Sequence, residues 1–265
     1  LIGCGGWGKN IARNLHQLGA LACIYDSDQN LSKKLNQDFK LHDYTINDIF
    51  RNENIQALVI ASSAKTHRDI AEEALKNNKD VLIEKPFCLS LSEATTLSKL
   101  AIKKNRVLMV GHLLNYHNAF IKMKDLIREG KIGETKNIRA QRLALGAIRS
   151  HESVIYDLAV HDVSMILAIM QELPVKINAH SIHHNTNIGP DAVSVKLTFK
   201  TGATALFGNN EIEASFNMLL KSIKIDREWK DQAARKQLLE FFKSAGFEAE
   251  ETINARRKLA TLLFS

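Results

Sequence analysis

The sequence predicts an α/β protein with three consecutive parts. A doubly wound parallel sheet comes first, an α+β domain with a mostly antiparallel sheet follows, and a helical tail ends the chain. Three observations predict this order: a glycine-rich turn at the start, a regular alternation of short apolar runs and amphipathic segments up to residue 110, and a change of that rhythm near Gly130. We place the domains at residues 1–115, 116–210 and 211–265.

The glycine turn opens the first domain. Gly3, Gly5 and Gly8 lie between an apolar strand remnant and a helix predicted over residues 7–18, which ends at Gly19. Glycines at such a turn let the backbone approach a pyrophosphate, whose charge then lies at a helix N-terminus. The further predicted elements are strands at 21–25, 57–61, 81–83 and 107–110 and helices at 31–39, 66–77 and 90–103. This alternation indicates a parallel sheet covered on both faces.

The second domain and the tail have a different pattern. Strands are predicted at 135–145, 175–181, 191–199 and 203–207, with a helix over 154–170 and a tight turn at Thr201-Gly202. Residues 211–265 have the pattern of a charged amphipathic helix throughout. If the sheet ends at residue 207, its edge and apolar face need cover, and the tail is placed to supply that cover.

Composition limits the partners. The chain has 265 residues, 45% hydrophobic and 25% charged, which is typical of a soluble globular protein. Its net charge of +7 comes from lysines scattered along helices. This scatter disfavours nucleic acid as a partner, whereas the positive charge suits an anionic substrate.

No apolar run is long enough to span a membrane and no signal segment occurs, so we expect a cytoplasmic protein with no membrane partner. The three cysteines lack metal-ligand spacing, so no metal is expected. Because the chain begins within an apolar run without methionine, we expect part of strand one to precede it.

Asp26 closes the strand that follows the glycine turn. A carboxylate about twenty residues beyond such a turn accepts hydrogen bonds from a ribose 2′-OH, which favours NAD over NADP. The alternative is that Asp26 is a turn residue or helix cap within Asp26-Ser27-Asp28.

Two further motifs carry acid and base groups. Lys85 follows a buried strand and lies between Glu84 and Pro86, where an ammonium can bind a substrate hydroxyl and stabilise its developing alkoxide. The alternative is a surface lysine.

Asp157 and His161 are four residues apart on a predicted helix, so both side chains face the same side. The histidine can take a proton and the aspartate can orient it, although a purely structural helix pair has the same spacing.

The ordered set of motifs resembles the Gfo/Idh/MocA oxidoreductases. It consists of the glycine turn, ASSAKTH at 61–67, DVLIEKP at 80–86, VGH at 110–112, and Asp157 with His161. The resemblance implies a Rossmann domain followed by an α/β domain whose open sheet often builds a homo-oligomer. It implies catalytic roles for Lys85, Asp157 and His161, which also line the substrate site. The cofactor-binding residues that it implies are Gly3, Gly5, Gly6, Trp7, Gly8, Asp26, Ser62, Ser63, Thr66, His67, Glu84 and Lys85.

Within that family, two segments look most like the branch that oxidises UDP-N-acetylamino sugars at C3. These are GHLLNYH at 111–117 and RLALGAIR at 142–149. Asn115, Tyr116 and His117 would bind sugar hydroxyls, and Arg142 or Arg149 would bind a phosphate or carboxylate. The alternative for Arg149 is a solvated loop arginine.

The sequence therefore predicts an NAD-dependent sugar or sugar-nucleotide dehydrogenase. The helical tail departs from the family, whose sheet usually continues with more strands, so a homo-oligomer is expected only if the sheet is complete. The alternative hypothesis is a non-catalytic or degenerate NAD-binding regulator of the same fold.

Overall fold

A computed structural model describes residues 1–142, 153–182, 192–209, 220, 223–224, 232, 235–236, 238–239, 242 and 250–264. Contacts between Cα atoms divide the chain into two units, Leu1–Leu113 and Leu114–Ser265. Among the described residues, no helix combines the length and apolarity needed to cross a membrane.

The first unit alternates helices and short strands. Its helices are α1 (Gly8–Gln17), α2 (Gln29–Asp38), α3 (Ile46–Arg51), α4 (Ala64–Lys76) and α5 (Leu91–Lys104), and its strands are β1 (Ala57–Ile60), β2 (Asp80–Ile83) and β3 (Leu108–Val110). The helix α3 was not predicted. It begins at a capping box in which the Thr45 hydroxyl and the Asp48 carboxylate each accept from the other's backbone N–H.

The strands form a parallel sheet in the order β1-β2-β3. Ile2 extends it through parallel bridges to Ile60 and to Tyr25, so the predicted strands around residues 2 and 21–25 are reduced to single bridges. The full order is Tyr25, Ile2, β1, β2, β3. The chain first passes from Ile2 to Tyr25 on one side of Ile2, and later adds β1, β2 and β3 on the other side. This makes the carboxyl ends of Ile2 and β1 a topological switch point, where open α/β sheets bind ligands.

The second unit is a mixed sheet with helices. After a 3₁₀ helix at Leu113–Tyr116, its elements are α6 (Asn118–Arg128), β4 (Asn137–Arg142), a π-helical turn (Ile155–Ala159), α7 (Val160–Met170), β5 (Lys176–Ile182), β6 (Ala192–Thr198), β7 (Thr204–Asn209) and α8 (Glu250–Phe264). The helix α6 was not predicted, although His117 caps it.

The second sheet has the order β4-β7-β6-β5. β5, β6 and β7 pair antiparallel, as predicted, whereas β4 pairs parallel to β7. One sheet face is buried against the π-helical turn and α7, where Ile166 packs among Val195, Leu197 and Phe207. In the described part of the chain, this face is covered by the π-helical turn and α7, and cover by the tail stays a prediction. Lys196 and Arg139 are exposed and lie on the opposite face.

The helical tail is described mainly by α8. This helix agrees with the amphipathic pattern of the last residues, and Ala255 and Leu259 are buried one turn apart. Most of residues 211–249 lies outside the described part of the chain.

Candidate functional site

The glycine turn is shaped by two backbone approaches that exclude side chains. Gly3 has a φ of +87°, and a Cβ there would overlap the backbone nitrogen of Ser62. A Cβ on Gly8 would overlap the carbonyl oxygen of Gly3. Only glycine fits at both positions, so Gly3 can lie against the backbone that follows β1, and the start of α1 can lie against Gly3.

The other two glycines face open space. Nothing lies within 4 Å of a Cβ built on Gly5 or Gly6. In the described part of the chain, the backbone N–H groups of Gly5, Gly6 and Trp7 have no acceptor, and α1 has no acidic residue in its first turn. Free N–H groups at a helix N-terminus, with room in front of them, fit the pyrophosphate of a dinucleotide.

Asp26 braces the glycine turn. Its Oδ2 accepts from the backbone N–H of Cys4 at 2.6 Å, and its Oδ1 accepts from the N–H of Asp28 at 3.0 Å. The proposed turn role of Asp26 is therefore present, and Asp28 caps α2. Both oxygens retain further acceptor capacity, so ribose binding by Asp26 stays a prediction.

Ser62 and Ser63 lie in the loop after β1, and Thr66 and His67 follow in the first turn of α4. The hydroxyls of Ser62 and Thr66 are 2.7 Å apart, and Thr66 also donates to the carbonyl of Ser63 at 2.8 Å. His67 is 1% exposed, with Nδ1 2.8 Å from the Pro86 carbonyl oxygen and Nε2 3.1 Å from that of Ser62. The imidazole of His67 thus links the loops after β1 and β2 rather than facing open space.

Lys85 stands in the turn after β2. Glu84 precedes it and accepts hydrogen bonds from the indole Nε1 of Trp7 at 2.9 Å and from the backbone N–H of Lys85 at 3.2 Å. The Lys85–Pro86 peptide bond is cis, and the Lys85 side chain is partly buried. The lysine therefore lies at the carboxyl edge of the sheet, as predicted.

Sequence reasoning did not assign His112, which follows β3 at the same edge. Its Nδ1 atom is buried and has no hydrogen-bond partner within the described part of the chain. Burial lowers the pKa of His112 below its usual value, and the Glu84 carboxylate opposes that shift. The sequence signal for His112 was its position two residues after a strand, within VGH at residues 110–112.

The predicted sugar-binding residues of the second unit differ in their surroundings. The Nδ1 atom of His117 accepts from the N–H of Ala119 at 3.3 Å, so this histidine caps α6. Tyr116 is 62% exposed. The Oδ1 atom of Asn115 is buried, and among the described residues it has no hydrogen-bond partner.

Asp157 and His161 lie across a change of helix type. Asp157 is buried in the π-helical turn, and His161 lies in the first turn of α7. The predicted continuous α-helix over 154–170 is therefore wrong in its first turn. π-helical turns inside α-helices are frequent at functional sites.

Arg142 forms an ion pair rather than facing solvent. Its Nη2 donates to Oδ1 of Asp162 at 3.1 Å, and the Asp162 side chain is only 5% exposed. Asp162 was not predicted as part of the site, because nothing local marks a contact between residues 142 and 162. Arg149 lies outside the described residues.

Two family models match consecutive parts of this chain. The oxidoreductase family with an NAD-binding Rossmann fold matches residues 1–112, and the GFO/IDH/MocA C-terminal domain matches residues 120–218. The chain belongs to the Gfo/Idh/MocA family. A tetratricopeptide repeat model also matches residues 182–264, which covers the tail that departs from the family pattern.

Individual relatives agree with this membership. The chain is 28% identical over 206 residues to UDP-N-acetylglucosamine 3-dehydrogenase of Acidithiobacillus ferrooxidans, covering 77% of this chain and 64% of that protein. A crystal structure under that name superposes with a TM-score of 0.71 at 27% identity, covering 78% of this chain and 67% of the other.

Two other relatives carry different reactions in their names. Myo-inositol 2-dehydrogenase of Thermotoga maritima is 27% identical over 173 residues, covering 62% of this chain and 52% of that protein. The 2,7-anhydro-N-acetylneuraminate hydratase of Escherichia coli is 23% identical over 250 residues, covering 85% and 66%. The chain thus spans two thirds or less of each relative's length.

Proposed function

We propose that this protein is an NAD-dependent dehydrogenase that oxidises a hydroxyl-bearing carbon of a sugar or sugar nucleotide. Family membership and the names of two dehydrogenase relatives support the reaction class. The observation that supports the cofactor is the glycine turn, where the described N–H groups before α1 have no acceptor and a Cβ on Gly5 or Gly6 would meet nothing.

Asp26 supports NAD as the form used. Residues 26–30 contain two carboxylates and no cationic side chain, so a 2′-phosphate at this strand end would meet negative charge. Bound nicotinamide supplies an acceptor for hydride. Gly5, Gly6 and Trp7 would hold its pyrophosphate through their backbone N–H groups.

The remaining chemistry belongs to side chains of this chain. The substrate carbon loses a hydride, its hydroxyl proton passes to the imidazole of His161, and a carbonyl group forms. The ammonium of Lys85 stabilises charge that develops on the reacting oxygen. Asp157 orients His161 or holds a neighbouring substrate hydroxyl. A UDP-amino sugar is the proposed substrate, in line with the Acidithiobacillus relative.

Fluorescence titration with NADH and with NADPH tests the cofactor. Saturable binding that favours NADH is expected, and binding of neither nucleotide would contradict the proposal. Production of NADH is then followed with NAD and a panel of UDP sugars, together with myo-inositol. Binding of NADH without turnover of any panel member would favour the non-catalytic regulator.

Lys85→Met tests the role of the lysine. Loss of a group that stabilises charge in the transition state should lower kcat about 100-fold, while the Kd for NADH changes little. The matched control is Lys99→Met, which removes an exposed lysine of α5. A weaker NADH complex with unchanged kcat would contradict the assignment.

A further inference from the structure

The two oxygens of the Glu84 carboxylate connect two predicted site segments. Oε1 accepts from the indole N–H of Trp7, in the glycine turn 77 residues away, and Oε2 accepts from the backbone N–H of Lys85. One carboxylate therefore joins the glycine turn directly to the lysine-bearing turn. Charge-assisted hydrogen bonds of this kind are stronger and more directional than neutral ones.

The backbone of Gly111 lies close to the same carboxylate. A Cβ built on Gly111 would lie 3.0 Å from Oε1, 3.1 Å from Cδ and 3.2 Å from Oε2 of Glu84. The backbone after β3 thus approaches the carboxylate so closely that a Cβ at residue 111 would require the carboxylate to shift. The carboxylate therefore lies between the indole of Trp7, the backbone of Lys85 and the backbone of Gly111.

Stability alone accounts poorly for this arrangement. Trp7 is 51% exposed, and Glu84 and Lys85 are only partly buried, so the three groups lie outside the hydrophobic core. A hydrogen bond at such a position contributes about 1 kcal/mol to folding. Its specific effect is on geometry, because it sets where the backbone of Lys85 lies relative to the glycine turn.

We infer that Glu84 is a positioning residue that transmits the position of Trp7 to Lys85. This differs from the role near the cofactor ribose that the resemblance implies. The effect on turnover rests on the proposed function, whereas the coupling between Trp7 and Lys85 does not. The two parts are therefore tested separately.

The coupling is tested by NMR on the ligand-free protein, labelled with ¹⁵N in tryptophan and lysine. The chain has two tryptophans, so Trp229→Phe identifies the Trp7 indole resonance, and Lys85→Met identifies the Lys85 amide. Glu84→Gln keeps the size of the side chain but leaves one acceptor oxygen for two donors. It should shift both resonances, whereas Glu73→Gln, an exposed glutamate of α4, should shift neither.

A double-mutant cycle then separates transmission from two unrelated contacts. Trp7→Phe removes the indole donor and should shift the Lys85 amide in the wild-type background. In the Glu84→Gln background the same change should shift it much less. Equal shifts in both backgrounds, or a Trp7 indole resonance that ignores Glu84→Gln, would overturn the inference.

Kinetics measure the consequence for turnover. Trp7→Phe and Glu84→Gln should each lower kcat about tenfold through misplacement of Lys85, with the Kd for NADH within about threefold of wild type. The double variant should be no slower than the slower single variant. A Kd that weakens in parallel with kcat/KM in Glu84→Gln would instead identify a cofactor ligand. Wild-type protein that binds no NADH refutes the proposed function, and the NMR cycle still decides the coupling.

Discussion

The predicted site residues of the two units are held in different ways. In the first unit, side chains join separate segments through hydrogen bonds: Asp26 to the backbone of Cys4, His67 to the carbonyls of Ser62 and Pro86, and Glu84 to the indole of Trp7. In the second unit, one partly buried ion pair joins Arg142 to Asp162. The glycine turn and the loops after β1 and β2 are thus braced by several hydrogen bonds, whereas the described link between β4 and α7 is an ion pair.

The largest loss of stability is expected from a side chain at Gly3, where a close backbone approach and a positive φ coincide. Gly3→Ala places a Cβ against the Ser62 backbone at a positive φ, so the free energy of unfolding should fall by about 3 kcal/mol or more. NADH binding should be lost with it. Urea denaturation and fluorescence titration measure the two effects.

Gly5→Ala is the matched control for that change. Its Cβ enters open space at an ordinary φ, so stability should stay within about 0.5 kcal/mol of wild type. NADH binding should still weaken, because the new methyl group occupies the space proposed for the pyrophosphate. Equal loss of stability in both variants would contradict the close approach at Gly3.

The ion pair of the second unit should give the next largest effect. Arg142→Met leaves the buried Asp162 carboxylate without this partner, and should lower the free energy of unfolding by about 2–3 kcal/mol. Adding Asp162→Asn should recover part of the loss, because a neutral amide is easier to bury. The control is Arg128→Met, whose exposed pair with Asp125 should contribute less than about 0.5 kcal/mol. Equal effects from the two arginine variants would show that the buried pair is not special.

Removing the hydrogen bonds of His67 should cause a smaller loss of stability. His67→Leu preserves most of the buried volume but leaves the carbonyls of Ser62 and Pro86 without this partner. The expected loss is about 2 kcal/mol of unfolding free energy, measured by urea denaturation. His42→Leu changes an exposed histidine and should have little effect. A loss no larger than this control would show that His67 does not brace the two loops.

The smallest expected effect is a change in how folding stability depends on pH. Because burial lowers the pKa of His112, the unfolded chain takes up a proton more readily than the folded one as the pH falls below 6.5. Wild type should lose stability on the acid side of 6.5, by at most about 1.4 kcal/mol per pH unit from this group. His112→Phe and His112→Gln should both flatten that part of the curve of stability against pH. Curves parallel to wild type would contradict the shift.

Local sequence signals predicted most of the first unit. The glycine turn, most of the alternation of strands and helices, and the position of Lys85 depend on short-range patterns, and the structure places them as expected. The exceptions are the strands near residue 2 and at 21–25, which are single bridges, and the helix α3. The bond from Trp7 to Glu84 had no such signal, because its partners are 77 residues apart. Thr45 and Asp48 have the spacing of a capping box, which is a local signal for the start of α3.

The second unit was harder to predict for physical reasons. An apolar pattern at three- and four-residue spacing does not distinguish a π-helical turn from an α-helix, so the surroundings of Asp157 were missed. The contact of Arg142 with Asp162 arises only when β4 packs near α7. Strand positions were predicted well, but the parallel pairing of β4 with β7 requires knowledge of the whole sheet.

That parallel pairing has a consequence for the order of folding. Neighbouring strands of the first sheet are close in sequence, whereas Asn137 of β4 pairs with Thr204 of β7, 67 residues later. β7 inserts between β4 and β6, so β4 has no neighbour in this sheet until β7 has been synthesised. Contacts of such long range form slowly because a large loop must close first. We therefore expect the N-terminal unit to become structured early, and the insertion of β7 to be a late step that completes the second sheet.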